Sequence, residues 1–373
     1  MDQSGNIIAA GAYLGTGAVF GSYTLANSMG ADIYFAKFNS INGNAIWARC
    51  IQGGAHETEP SVSCDNSGNI YLSGLSISSA IISGTNSFVN SGKTFLMKFD
   101  NGGNLIWFRA PIGNRSAIHD IENDNSGNIY VTGQFGGSNV AFGNFTLTAS
   151  LAHDVTFLTK YDPAGNVLWV TQENWNSAGT AVDEYQNNIY VAGFYLDSLM
   201  FGSYKAVMPQ NASSVMYLTR FDDNGNCNFL ETLNNGGLGY PNVCVDKFCN
   251  PVIAGTYDNI AAFTVGPFSL SSSASSNLFL AKLSINCFDG MKEIENGQGV
   301  KVFPNPTTGE FNLTGLGDCK EIVVRNFLGS VVFQQMINTN NQKIDLRGIP
   351  GGIYLFSILK ADHRTVTGKF VIE

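Results

Sequence analysis

Charged residues are scarce in this 373-residue chain, at 13%, and proline occupies only 10 positions. So little charge argues against disorder and against long solvent-facing helices. No stretch approaches the roughly 18 consecutive apolar residues that a membrane-spanning helix needs. Basic residues are the minority sign: residues 1–297 carry 12 Lys and Arg against 23 Asp and Glu, net −11, whereas residues 298–373 carry 8 against 6, net +2. An acidic main body excludes nucleic acid as a partner, because neutralising phosphates requires a basic surface. The 7 cysteines (Cys50, Cys64, Cys227, Cys244, Cys249, Cys287, Cys319) contain no C-x-x-C pair and the 4 histidines are scattered, so neither a metal site nor a cofactor is expected. In an extracellular setting some of these cysteines pair, and their odd number leaves at least one thiol free or in an intermolecular bond. The nucleophile elbow G-x-S-x-G, the zinc motif H-E-x-x-H, the phosphate loop and the dinucleotide fingerprint are all missing. The first residues show no basic region, apolar core or cleavage site, so the expectation is a trimmed leader or a frame that opens inside a longer array.

Glycine, by contrast, is abundant at 42 residues and aromatics reach 12%, a mixture suited to short strands and tight turns. One string organises most of the chain. It reads DNSGNIYVTG at Asp124 to Gly133, DNSGNIYLSG at Asp65 to Gly74, DQSGNIIAAG at Asp2 to Gly11, EYQNNIYVAG at Glu184 to Gly193 and, worn, DKFCNPVIAG at Asp246 to Gly255. The closing glycines are 63, 59, 60 and 62 residues apart, which defines an internal repeat.

Each unit carries three further strand signatures. An apolar run with one cation centres on Lys37, Lys98, Lys160, Arg220 and Lys282. A run with an aromatic centres on Trp47, Trp107, Trp169 and Phe229, and a short run precedes each new opening string. Asp hydrogen-bonds the backbone two residues on, and Gly and Asn tolerate positive φ, so the D-x-x-G-N strings read as hairpin turns. A calcium loop would place its glycine sixth, and here it comes fourth or earlier. The strands carry apolar groups on both faces, so both faces must be covered, as in radially stacked four-stranded blades. About 18 residues separate the second and third strands and often hold Phe-Gly, which suggests a small outer hairpin. Five copies of the second and third strands are visible, but four of the first and fourth. The expectation is therefore a β-propeller of about five 60-residue blades, either a ring closed imperfectly or part of a ring of six to eight.

The strings D-x-x-G-N-I-Y-V-x-G, F-L-x-K-F-D and G-N-x-x-W together make residues 1–285 resemble the bacterial SBBP-type propeller repeat family. That resemblance implies a propeller at a surface or secreted location and names no shared catalytic residues. Residues 286–299 read as a linker. Residues 300–373 alternate strands with Pro and Gly punctuation, consistent with a small immunoglobulin-like β-sandwich. Their Phe303-Pro304-Asn305-Pro306-x-x-Gly309 start, the Leu-Gly hairpin at Gly329 and the string ending Pro350-Gly351-Gly352-Ile353-Tyr354 closely resemble the type A C-terminal sorting domain of the Bacteroidetes type IX secretion system. The resemblance implies that this segment engages the secretion machinery and that the protein is secreted or held on the outer-membrane surface.

Residues present five times serve packing more often than chemistry. The repeated cations accordingly read as strand residues that snorkel to solvent, and Trp47, Trp107 and Trp169 as core. The loops from the last strand of one blade to the first of the next diverge most, and they offer aromatics beside polar groups, as sugar recognition requires. Within them Trp175 and Tyr240 are candidate stacking residues, while His56, Glu57, Arg115, Glu173 and Asn176 are candidates for fixing orientation. The function expected is non-catalytic binding of a glycan, matrix or another surface component. The alternatives are a purely structural array and a polysaccharide-acting enzyme using a pair of acids among Glu57, Glu59, Asp120, Glu173 and Asp258.

Overall fold

The computed structural model describes residues 1–15, 17–26, 30–90, 93–111, 116–137, 140–149, 153–173, 177–185, 187–210, 212, 214–233, 240–246, 249–257, 263–265, 268–270, 277–283, 300–326, 331–360 and 365–373. All regular structure among them is β-strand. The chain divides into two compact units, Met1–Ile285 and Asn286–Glu373. The linker expected at 286–299 lies outside the described residues.

In the first unit each repeat folds as an antiparallel sheet. The second repeat shows the scheme: first strand Glu57–Cys64, second Ile70–Ser76, third Thr94–Phe99 and fourth Leu105–Arg109, hydrogen-bonded in that order. The third and fourth repeats follow with Ser116–Asn123, Ile129–Gly136, Asp154–Tyr161 and Val167–Gln172, then Ser177–Tyr185, Asn188–Tyr195, Val215–Phe221 and Cys227–Leu233. The first repeat contributes its second, third and fourth strands (Ile7–Tyr13, Asp32–Phe38, Ala45–Gly53), and the fifth its first, second and third (Asn242–Val245, Pro251–Tyr257, Asn277–Lys282). The chain is thus an all-β protein of propeller-type blades. No described strand pairs the first sheet with the last.

Sheets stack because each strand is apolar on both sides. Ile70 and Leu72 pack with Ile33 and Phe35 of the preceding sheet, whereas Tyr71 and Leu96 pack with Val131 and Phe157 of the following one. Burying a side chain of this size contributes about 1.5–3 kcal/mol. The closing glycines have a packing cause. Gly74, Gly133 and Gly193 stand opposite Phe95, Phe157 and Tyr217 on the third strand. A Cβ on Gly74 would lie 2.7 Å from the Phe95 ring, and one on Gly193 would lie 2.5 Å from the Tyr217 hydroxyl.

The D-x-x-G-N strings form the expected turns. Asp65 Oδ1 accepts the Ser67 and Asn69 amides, both at 2.9 Å, and its Oδ2 accepts Asn69 Nδ2 at 2.8 Å and the Tyr71 hydroxyl at 3.0 Å. Gly68 has φ +79°, where a side chain is strained. The 18-residue connections contain hairpins such as Val140–Phe142 with Phe145–Leu147. In the second repeat the hairpin strand Ala80–Ser83 also pairs with the fourth strand of the first repeat, widening that sheet to five strands.

The repeated cations need correction. Lys37, Lys98, Lys160 and Arg220 do not snorkel; they are buried. The ammonium of Lys98 donates to the Pro163 carbonyl at 3.0 Å, and the Trp107 indole N–H donates to the same carbonyl at 3.2 Å. Lys37 and Trp47 converge likewise on Asn101, and Lys160 and Trp169 on Asp223. Each acceptor is the second residue of the following repeat's turn between third and fourth strands. Trp47 is buried, but Trp107 and Trp169 are only partly so, because their indoles straddle this seam.

In the second unit the strands Lys301–Phe303, Glu310–Thr314 and Asn341–Asp345 form one sheet, and Val331–Met336, Cys319–Asn326, Gly352–Lys360 and Thr365–Ile372 form another. Phe311, Leu313, Ile322, Val324, Phe356 and Phe370 fill the core of this sandwich.

Turn chemistry yields a test. Asp65→Ala removes the charged acceptor of four hydrogen bonds at a buried site and should destabilise the protein by about 2–3 kcal/mol. Asp100→Ala, in the more exposed second turn of the same repeat, should cost about 1 kcal/mol or less, since water replaces the lost acceptor. Urea unfolding of both variants measures the difference, and equal losses would contradict this account of the two turns.

Candidate functional site

Strand direction sorts the loops. Glu57 lies opposite Ser76, and Ser116 opposite Phe135, so the segments entering each first strand emerge at the same end of the sheet as the connection between second and third strands. The D-x-x-G-N turns emerge at the other end. One end is therefore committed to turn hydrogen bonds, and the other carries the divergent loops.

Of the residues expected to bind there, Tyr240 is 70% exposed and meets the Phe194 ring edge-on at 5.5 Å. His56 is exposed, with Nδ1 accepting the Ala31 amide at 3.1 Å. Glu57 and Glu173 are corrected by their burial: both are fully enclosed. Glu57 Oε1 accepts the Ser76 and Ser78 hydroxyls at 2.7 and 2.6 Å, while Glu173 accepts the Ser177 hydroxyl at 2.8 Å and the Met200 amide at 2.9 Å. These carboxylates are engaged at the loop bases. Arg115, Trp175 and Asn176 lie outside the described residues, as does Asp258. Glu59 is exposed.

Two cavities of the same construction were not foreseen. One, of about 300 Å³, lies where Arg109 of the second repeat meets the hairpin tip Gly143-Asn144 and the start of the fourth strand at Asn166 in the third. The other, of about 460 Å³, joins Arg49 of the first repeat to the tip Gly84-Thr85-Asn86 and to Asn104 in the second. Each guanidinium lies over a tryptophan, Arg49 on Trp47 at 5.7 Å and Arg109 on Trp107 at 5.3 Å. Arg109 Nε and Nη2 donate to the Gly165 and Ala164 carbonyls at 2.9 Å, fixing the group across the seam. The sequence held a signal for them. Arginine stands two residues after tryptophan in the first two repeats, where the third and fourth have Thr171 and Glu231.

The first strands bring acids together. Asp120 Oδ1 accepts the Ser61 hydroxyl at 2.7 Å and its Oδ2 the Val182 amide at 3.0 Å, so one carboxylate ties three successive sheets. Burial raises its affinity for a proton. Burial, and then the charge of Asp183, push Glu122 up to about 8; burial pushes Asp183 to about 6 and Glu184 to about 7. Among the cysteines, Cys249 is disulfide-bonded, whereas Cys50, Cys64, Cys227, Cys244 and Cys319 are free thiols.

In the second unit the expected sorting motif forms a seam between first and last strands. Asn305 Oδ1 accepts the Val371 amide at 2.9 Å, the Thr307 amide donates to the Val371 carbonyl, and the Glu373 amide donates to Thr307. Both Pro304 and Pro306 follow cis peptides. Gly309, at φ +102°, donates to Thr307 Oγ1, and a Cβ there would lie 3.0 Å from the Arg347 backbone. The Tyr354 hydroxyl reaches back to the Pro350 carbonyl at 2.6 Å, and Gly351 and Gly352 lead into the strand between them. Gly329 lies outside the described residues.

Residues 301–373 match the family model described as a secretion system C-terminal sorting domain. This segment is a type IX sorting domain. The protein is accordingly exported, either to the cell surface or into the medium. An uncharacterised WD repeat-containing protein of Acanthamoeba polyphaga mimivirus is 29% identical over 44% of this chain, a match that spans 14% of the viral protein. Among solved structures, PorZ, a surface component of the type IX secretion system of Porphyromonas gingivalis, is 13% identical with a TM-score of 0.22, covering 94% of this chain and 68% of PorZ. A xylan β-1,4-xylosidase of Bacillus halodurans is 10% identical with a TM-score of 0.29, covering 91% of this chain and 88% of the enzyme. Scores so low carry nothing about activity.

The buried acids set a pH dependence. The folded state keeps a proton on Glu122 that the unfolded chain, near 4.5, releases, so stability falls as pH rises from about 4.5 to about 8. Glu122→Gln removes this penalty. Melting profiles across that window should show a shallower decline for the variant and a higher melting temperature at its alkaline end; parallel curves would show that Glu122 does not carry the effect.

Proposed function

We propose that the repeat array, which we take to be of the SBBP type, binds a polysaccharide or another glycan-bearing surface component without catalysis, and that the sorting domain serves to deliver it outside the cell. The observation that carries this reading is the doubled cavity. The same positions build it at two successive repeat seams, an arrangement suited to a polymer whose own units repeat, where linked contacts raise avidity beyond either site alone. A guanidinium held over an indole presents a rigid donor to sugar hydroxyls or carboxylates. Asn86 and Asn144 at the hairpin tips add amides. At the divergent end, Tyr240 offers an exposed ring for stacking and His56 an exposed polar group, and Trp175, Arg115 and Asn176 belong to the same set of loops. Glu57 and Glu173, two of the acids that hydrolysis would draw on, are already engaged by serine hydroxyls and the Met200 amide.

One observation favours the enzymatic alternative. Glu122 and Asp183 stand on neighbouring first strands, where burial raises both and the charge of Asp183 raises Glu122 further, the environment that keeps one carboxyl protonated near neutrality. A polysaccharide-binding screen on the full chain, paired with an assay for released reducing ends, separates the two. Retention without turnover is expected, weakened at least several-fold by Arg49→Ala with Arg109→Ala, and weakened independently by Tyr240→Ala with Trp175→Ala, with melting temperatures nearly unchanged. Turnover lost on Glu122→Gln or Asp183→Asn would establish the enzyme instead.

Export gives a second test. A chain ending near Asn286 and supplied with a leader should fold yet fail to appear outside the cell, because residues 300–373 carry the address. Normal secretion of that truncated chain would contradict the delivery role.

A further inference from the structure

The two cavities at the arginine seams hold a positive charge that their own walls do not neutralise. Among the described residues no Asp or Glu lines either one. Arg109 donates to the backbone carbonyls of Phe108, Ala164 and Gly165, and Arg49 to those of Ala48 and Gly102. A carbonyl accepts a hydrogen bond without cancelling a charge, and each fork keeps N–H groups to spare out of its five. Asp100 feels the charge of Arg49, but hydrogen bonds from Asn104 are the larger cause of its lowered proton affinity, and both its oxygens are engaged in the turn.

The indoles beneath the guanidinium groups orient them and also narrow the choice of ligand. A neutral sugar is held mainly by laying its apolar face on an open ring. At these seams that face of Trp47 and Trp107 is taken by arginine. Phe142 and Tyr161, the other rings at the Arg109 cavity, are buried. What remains is a cation beside amide oxygens. Asn166 gives its Nδ2 to Asp162 and Asn104 gives its own to Asp100, so each keeps Oδ1 as an acceptor for a hydroxyl. Volumes of about 300 and 460 Å³ sit at the small end of ligand pockets, the scale of a single ring of a longer chain.

We propose that these cavities select an acidic polysaccharide. Each takes one sugar ring that carries an anionic oxygen group, a uronic acid carboxylate or a sulfate ester, on its guanidinium, while ring hydroxyls donate to the asparagine oxygen. The proposal rests on the reading of the array as a glycan binder and names the class of glycan. A charged acceptor forms a stronger bond to the fork than a neutral hydroxyl does, and the fork's planar geometry matches two oxygens of one anion. The later repeats limit where this happens. Thr171 stands at the arginine position in the third and Glu231 in the fourth, and a carboxylate there repels the same ligand. Recognition of acid sugars therefore belongs to the first two seams, whereas the exposed ring of Tyr240 suits a neutral sugar face.

Surface plasmon resonance of the full-length protein on immobilised polymers tests this. The polymers are polygalacturonate and alginate, each also with its carboxyls reduced to alcohols, and dextran sulfate beside dextran. Binding to a carboxylated polymer is expected, weaker by about tenfold or more on its reduced form. Binding to dextran sulfate and not dextran would bring sulfate esters into the same class; its absence would confine the class to carboxylates. Arg49→Gln with Arg109→Gln should remove the preference for the acidic polymer. Because Arg109 also bonds the neighbouring turn, Asn144→Trp gives a second reading: it crowds the Arg109 cavity from an exposed hairpin tip with the arginine in place, and should weaken acidic binding several-fold at an unchanged melting temperature. Equal binding to acidic and neutral polymers, binding to neutral polymers alone, or acidic binding that survives these substitutions overturns the inference and leaves glycan binding by the array standing. Binding to none of the polymers overturns both.

Discussion

The first unit depends on a donor pair that crosses from each of the first three repeats to the next. Apolar strands on both faces make stacking favourable but leave the stacking angle and register loose, since burial is non-directional. A lysine ammonium and an indole N–H converging on one residue of the neighbouring turn supply direction. The lysines are buried once the seam is closed, so a misplaced sheet would leave a buried cation without this acceptor, at a cost of several kcal/mol. The turn can accept them only because its own aspartate has already fixed its backbone, as Asp162 does beneath Pro163 by accepting the Ala164 and Asn166 amides.

That commitment separates architecture from recognition. One end of every sheet is consumed by turns whose carboxylates, amides and carbonyls are engaged. The other end is released from the repeat's demands, and there the loops differ from copy to copy. Arg49 and Arg109 sit at the border of the two regimes. They use the shared tryptophan as a platform and the neighbouring carbonyls as anchors, and they stand in the first two repeats, where the third and fourth have Thr171 and Glu231.

The second unit solves a different problem. Its motif residues join the two edges of the sandwich, with Asn305 acting as a piece of strand toward Val371 and Gly309 allowing the chain to pass close to Arg347. Asn305 is thus held by Val371 and Lys369, some 65 positions away, which it meets only when the sheets close.

Local chemistry was enough to determine the repeats, the turns, the four-strand order, the outer hairpins and the nature of the C-terminal segment. Each is a short-range property: Asp and Gly at fixed offsets make a turn wherever they stand, and a strand apolar on both faces requires cover whoever provides it. Tertiary structure alone decided what those strands touch. Lys98 and Pro163 are 65 residues apart, and nothing in either string says that a cation in one unit bonds a carbonyl in the next. Glu57 and Glu173 looked like loop residues available to a ligand, and became loop foundations because serine hydroxyls from other strands reached them first. Leu280 matches Leu96, Leu158 and Leu218 in sequence, yet it is 75% exposed where they are buried, because burial belongs to the neighbour as much as to the residue.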